Sequence, residues 1–204
     1  MRERVMAYID GFNLYNGLKD KHGKRYAWLD LVALVRALLR PGQELVRVRY
    51  FTARVHRTAS TARQAAYLGA LASAGSLLTV TEGRFQPKSV QCTACGRTRT
   101  TYEEKETDVN LAIGLVEGAL LDQYDTALLI SADSDLCPAI RTIRRLAPQK
   151  RVIAMFPPRR TSYELRQTAH GWITISDSKI RQSQLPDVVT TAGGVKLVRP
   201  VEWY

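Results

Sequence analysis

Three short stretches of the chain hold acids and amides of the types that act on phosphate esters. They are D-G-F-N-L-Y, with Asp10 and Asn13; K-E-T-D-V-N, with Lys105 and Asp108; and S-A-D-S-D, with Ser131, Asp133, Ser134 and Asp135. Carboxylates gathered at short range cannot all stay ionised unless a cation joins them or some keep their protons. An all-oxygen donor set with open positions suits Mg2+ or Mn2+, which retain waters and take phosphate oxygens. Such an ion would orient and ionise an attacking water and offset charge growing on the phosphorane and the leaving oxygen. His22, His56 and His170 fall in none of these stretches, so a metal rather than an imidazole is the expected activator. Asn13, Ser131 and Ser134 would hold a carboxylate or a scissile phosphate, and Lys105, Arg159 and Arg160 would bind the substrate. Each also has a plainer role: Asp108 as a charge favoured by a helix dipole, and Asn13 and the serines as caps or turn residues.

The elements that must position these residues can be read from hydrophobic patterning. Residues 126–130, TALLI, form an unbroken apolar run, which predicts a strand covered on both faces at the centre of a parallel sheet. Ligands of such sheets bind beyond the carboxyl ends of the strands. Asp133 and Asp135 lie there, followed by a helical pattern at Leu136, Ile140, Ile143 and Leu146. Val109, Ala112, Ile113, Val116, Ala119 and Leu120 predict the buried face of a helix that carries Asp108 in its first turn. A strand from Arg4 to Ile9 ends at Asp10, and Gly11 allows a tight turn into the next helix. Further helices are expected over 12–20, 29–40, 59–75 and 162–169, and strands over 45–52, 77–81, 151–156 and 172–175. This alternation implies an α/β, Rossmann-like three-layer fold with a mostly parallel central sheet. Residues 1–184 would form the domain, interrupted by an insertion over about 82–104, with 185–204 as a C-terminal tail.

With 30 Lys and Arg against 19 Asp and Glu, the formal charge of +11 favours a polyanionic partner. Arg47, Arg49, Arg54, Arg57, Arg141, Arg144 and Arg145 could track a nucleic-acid backbone, and Tyr15, Tyr102 and Trp172 could stack on unpaired bases. No apolar run approaches the ~20 residues of a membrane span, the first ten residues do not read as a signal peptide, and 3 cysteines agree with a reducing compartment. The expected location is therefore the cytoplasm. Within the insertion, Cys92 and Cys95 form a C-x-x-C pair, half of a zinc site. Two readings stand: an extended hairpin without metal, or a structural zinc completed by other groups or another subunit, which leaves a homodimer open.

Together, D-G-x-N-L-Y, K-x-T-D-V-N and S-x-D-S-D resemble, in order and spacing, the signature motifs of the NYN domain, a branch of the PIN-like nuclease superfamily. The resemblance spans roughly residues 4–178. It implies a metal-dependent ribonuclease acting on single-stranded or structured RNA. Asp10, Asp108 and Asp133 would be the principal Mg2+ or Mn2+ ligands, Asp135 a further acid, and Asn13 a positioning group. Ala132 stands where the family commonly has glycine, which matters only if the backbone φ there is positive. Two alternatives remain: a non-catalytic RNA-binding module of the same fold, and another metal-dependent phosphoryl-transfer enzyme of the Toprim type. The latter uses a glutamate on its first strand, where this chain has Asp10.

Overall fold

The computed structural model describes residues 2–54, 58–73 and 75–204. Strands β1 (Glu3–Asp10), β2 (Gln43–Ala53), β3 (Leu78–Gln91), β4 (Thr98–Lys105), β5 (Thr126–Ile130), β6 (Arg151–Phe156) and β7 (Gly171–Thr174) make one sheet in the order β4-β3-β2-β1-β5-β6-β7. Every neighbouring pair is parallel except β3 with β4. The strand order reverses direction between β1 and β5. That is the place where an open α/β sheet leaves a crevice at its carboxyl edge, and both β1 and β5 run into acidic segments there.

Alternation along β1 sends Val5, Ala7 and Ile9 to one face and Met6 and Tyr8 to the other, and each set enters a separate core. On the first face lie α1 (Gly11–His22), α2 (Leu31–Leu38), α3 (Thr58–Ser73) and α7 (Asp177–Gln182), contributing Leu14, Leu34, Leu71 and Ile180. On the second lie α4 (Thr107–Leu120), α5 (Cys137–Leu146) and α6 (Tyr163–Thr168), contributing Leu111, Leu115, Ile140 and Leu165. The fold is thus the three-layer α/β arrangement expected from the alternating pattern. No helix among the described residues is long and apolar enough to cross a membrane.

Three expectations need correction. The face that α4 buries is Leu111, Gly114, Leu115, Gly118 and Ala119, while Val109 and Ile113 are each 60% exposed. Large apolar side chains surround this helix, and the glycines decide which side packs. A Cβ at Gly114 would lie 2.8 Å from the Arg49 guanidinium, and one at Gly118 only 2.2 Å from the Tyr8 hydroxyl. Leu146, expected in the core, is exposed because it ends the last turn of α5. Finally, β3 does not stop at residue 81. Past Gly83 it leaves β2 and continues as a two-stranded arm with β4, from Arg84↔Lys105 to Gln91↔Thr98. At the other end of the chain, β8 (Val188–Thr190) and β9 (Lys196–Val198) pair against α3, and Trp203 is buried beside Trp28 and Tyr67.

Candidate active site

Asp10 closes β1 and caps α1 in one move. Its Oδ1 accepts from the Asn13 backbone N–H at 2.9 Å, satisfying one of the free donors of the helix N-terminus. Its Oδ2 accepts from the Ser131 hydroxyl at 2.9 Å, just past the end of β5. Ser131 is fully buried, and its oxygen in turn accepts from Asp133 N–H at 3.0 Å. Asn13 Oδ1 accepts from Ala132 N–H at 3.1 Å, so the β1–α1 turn and the β5 loop are tied together twice. Asp133 caps a 3-10 turn (Ser134–Leu136) by accepting from Asp135 N–H at 2.9 Å. Gly11 is required by close approach rather than by φ, since a Cβ there would sit 2.7 Å from Phe51 O. Ala132 is not among the positive-φ residues, so alanine fits without strain.

Asp108 comes to the same rim by a different route. The arm carries the chain out on β3 and back on β4, so α4 starts beside Gly83, at the carboxyl edge. A Cβ at Gly83 would lie 2.5 Å from Lys105 O, so this close return needs a glycine. Glu106 precedes the helix at φ 78, a left-handed conformation that costs energy for a side chain with a Cβ. Its carboxylate pairs with Arg84 at 2.6 Å. Glu104, at the end of β4, accepts from Thr107 N–H at 3.0 Å and caps α4.

Electrostatics joins these acids into one group. Burial pushes the Asp10 carboxyl above its ordinary value; Asp133 and Glu104 add to this, and the bonds from Asn13 and Ser131 oppose it. Half-buried Asp108 is pushed up to about 6, first by burial and then by Asp10, Asp133, Glu104 and Asp135. Glu104 is thus a member of the site that sequence reasoning missed. Its one signal was position, three residues before Thr107, which is meaningful only once the arm's register is known.

The expected Mg2+ or Mn2+ can be tested against this arrangement. Among the described residues, no group of three Asp, Glu, His or Cys side chains is placed to hold an ion between them. The donor set nevertheless suits a hard cation, because Mg2+ binds through one or two carboxylates and fills its remaining positions with water and phosphate. Each carboxylate oxygen engaged by one N–H or O–H keeps a second lone pair. Asp10 and Asp108, raised by burial and then by neighbouring acids, stand to gain from a cation.

The other residues named from the sequence divide. Arg159 and Arg160 follow β6 on the same rim; Arg159 is exposed at φ 54, whereas Arg160 pairs with Asp20 on α1. Lys105 pairs with Glu103 at 3.2 Å, and Ser134 is exposed. Arg49 is engaged within the fold: its guanidinium packs over the Tyr8 and Phe51 rings and pairs with Glu117 at 3.4 Å. Arg54 pairs with Glu82 at 2.6 Å, and Arg57 lies outside the described residues, as does His56. Cys92 and Cys95 are at the tip of the arm, away from the acids, and Cys137 is buried in α5.

The NYN domain model matches residues 4–176. The 6-hydroxy-3-succinoylpyridine 3-monooxygenase of Pseudomonas putida is 27% identical over 241 aligned positions, covering 98% of this chain and 75% of that protein. A crystal structure of a protein of unknown function from Vibrio parahaemolyticus superposes with a TM-score of 0.60 at 18% identity, over 86% of this chain and 94% of that one. That likeness shows the fold, a mostly parallel sheet flanked by helices.

Proposed function

The chain belongs to the NYN domain family, whose members are nuclease-like, and from that premise we propose that it is a metal-dependent ribonuclease cutting single-stranded or looped RNA internally. One observation supports the reading: at the strand-order reversal, beyond what burial does, Asp133 raises the proton affinity of both Asp10 and Asp108, and Asp10 raises that of Asp108, although the three come from distant segments. Bound Mg2+ or Mn2+ would supply an ionised water and charge neutralisation at the phosphorus. The protein groups have separable tasks. Asn13 and Ser131 fix the Asp10 carboxylate, Ser131 also fixes the Asp133 loop, and Asp108 can take or release a proton near neutral pH. In this reading Arg159 and Lys105 would pair with the phosphate backbone, Lys105 on leaving Glu103.

Incubation of the pure chain with end-labelled single-stranded RNA, with Mg2+ or Mn2+ and with chelator, tests this. Internal cuts that need the metal and vanish in Asp133→Asn are the expected result. Binding without cutting would favour the RNA-binding module, and metal-independent cutting that survives the substitution would overturn the proposal. If Arg159, Lys105 and their neighbours pair with phosphates, RNA affinity falls steeply with salt.

One observation favours a second reading. A cavity of about 300 Å3 beside Gly11 is lined by Phe12, Tyr15, Tyr50, Tyr67 and Trp203, a setting suited to a small aromatic ring of the kind named for the Pseudomonas relative. Saturable binding of a hydroxypyridine together with failure to cut RNA would move the reading to that chemistry.

A further inference from the structure

The C-x-x-C turn at the end of the arm is unused by any reading of the rim. Cys92 and Cys95 are both exposed there, and the turn is closed by Cys92 N–H donating to Arg97 O at 2.8 Å and Gly96 N–H donating to Cys92 O at 2.9 Å. Gly96 has φ 68, a conformation that favours glycine after the second cysteine. Within the turn, the backbone N–H groups of Cys95 and Ala94 and then the Cys95 thiol hold the Cys92 thiol below its ordinary value. Two sulfurs therefore share one side of a tight loop whose N–H donors favour thiolate, which is half of a tetrahedral thiolate site.

The other half does not come from the same chain among the described residues, where no third Cys, His, Asp or Glu completes a metal-holding group. The arm holds the tip apart from the sheet: pairing runs from Arg84↔Lys105 to Gln91↔Thr98, a reach of roughly 25 Å at ~3.3 Å per residue. Residues 86–89 and 91–100 are exposed. A two-stranded ribbon of this kind is marginal in water unless something else holds it.

We infer that two copies of the chain join tip to tip around one zinc ion, each giving Cys92 and Cys95 to a four-thiolate site on a two-fold axis. A two-fold contact completes itself, because the same pair on each copy supplies half of the ligands. Four thiolates around Zn2+ carry a net double negative charge, and Arg97 and Arg99 from both copies flank it. Without the ion these basic tips repel. The ligands bind as thiolates, so zinc uptake releases protons. The inference is independent of hydrolysis at the rim and needs no RNA.

The test uses the full chain, freed of metal and titrated with Zn2+ alone, following molar mass by light scattering and zinc coordination by X-ray absorption. One zinc for every two chains, four sulfur ligands at ~2.3 Å and a monomer-to-dimer shift reversed by EDTA are expected. Cys95→Ser, at an exposed position, should keep the melting temperature of the metal-free wild type and lose both the zinc and the shift. Zinc bound at one per chain on a monomer, fewer than four sulfur ligands, no zinc uptake, or an oligomeric state indifferent to EDTA would overturn the inference.

Discussion

At the amino edge of the sheet, Asp125 and Asp122 are met by cations. Arg4 Nη2 lies 2.7 Å from Asp125 and 2.8 Å from Asp122, and the buried Lys150 pairs with both acids. The Arg4 side chain holds the Asp125 carboxyl far below the ordinary carboxylate range, and Lys150 followed by Arg4 lowers Asp122. At the carboxyl edge the same residue type behaves in the opposite way. Asp10 and Asp108 are pushed up by burial and by neighbouring acids, with no cationic side chain among the causes. Packing alone gives no reason to collect like charges, since each added acid raises the cost of ionising the next. Charge matching at one edge is what stability calls for; the mismatch at the other is what the proposed cation and phosphate site would require.

The largest expected effect sharpens this contrast in activity. Asp10→Asn or Asp133→Asn should lower metal-dependent RNA cleavage by about 10²–10³-fold or more, the scale seen when one electrostatic group is lost from a reaction centre. Asp125→Asn should leave the rate within about threefold, because it lies at the far edge from the chemistry. Equal losses at both edges, measured as initial rates on one labelled RNA, would break the comparison.

Stability should show the reverse ranking. Asp125→Ala removes the acceptor for the Arg4 backbone N–H at 2.8 Å and for its guanidinium. A loss of about 1–2 kcal/mol in urea unfolding at pH 7 is expected after allowing for screening at this partly exposed site. Because the folded Asp125 carboxyl is lowered, its contribution is present above about pH 4 and fades as pH falls below that toward its folded value.

A smaller effect, of opposite sign, is expected from Asp108→Asn in the metal-free protein. Its carboxyl is raised to about 6, so the folded state binds the proton more tightly than the unfolded chain and loses stability as pH rises from about 4 to 6. Removing the charge should therefore stabilise by about 1 kcal/mol above pH 6, discounted for a half-buried group, with no gain below about pH 4. A destabilisation at pH 8 would mean that Asp108 is held by partners rather than repelled by neighbours.

Much of this frame could be read before any coordinates. The strands over 126–130 and 151–156 have the bounds their apolar runs gave, because a strand buried on both faces shows itself without alternation. Asp10 and Asp133 were placed at strand ends because those runs stop at the acidic segments. What sequence could not supply was anything set by register or by the absence of a side chain. Glu104 joins the acids only because β4 returns antiparallel to β3, a pairing no local pattern specifies. The buried face of α4 follows Gly114 and Gly118, which contribute nothing to a hydrophobic period, and the place that Arg49 occupies beside Gly114 is invisible to a pattern of apolar residues.

The account turns on Asp108 sharing one electrostatic pocket with Asp10 and Asp133, and carbon-13 NMR titration of the Asp108 carboxyl, with and without Mg2+, tests this most directly. Titration near 6 without metal, moving down as Mg2+ is added and failing to move in Asp133→Asn, is the expected result. An Asp108 that titrates near 4 and is indifferent to Mg2+ would contradict it.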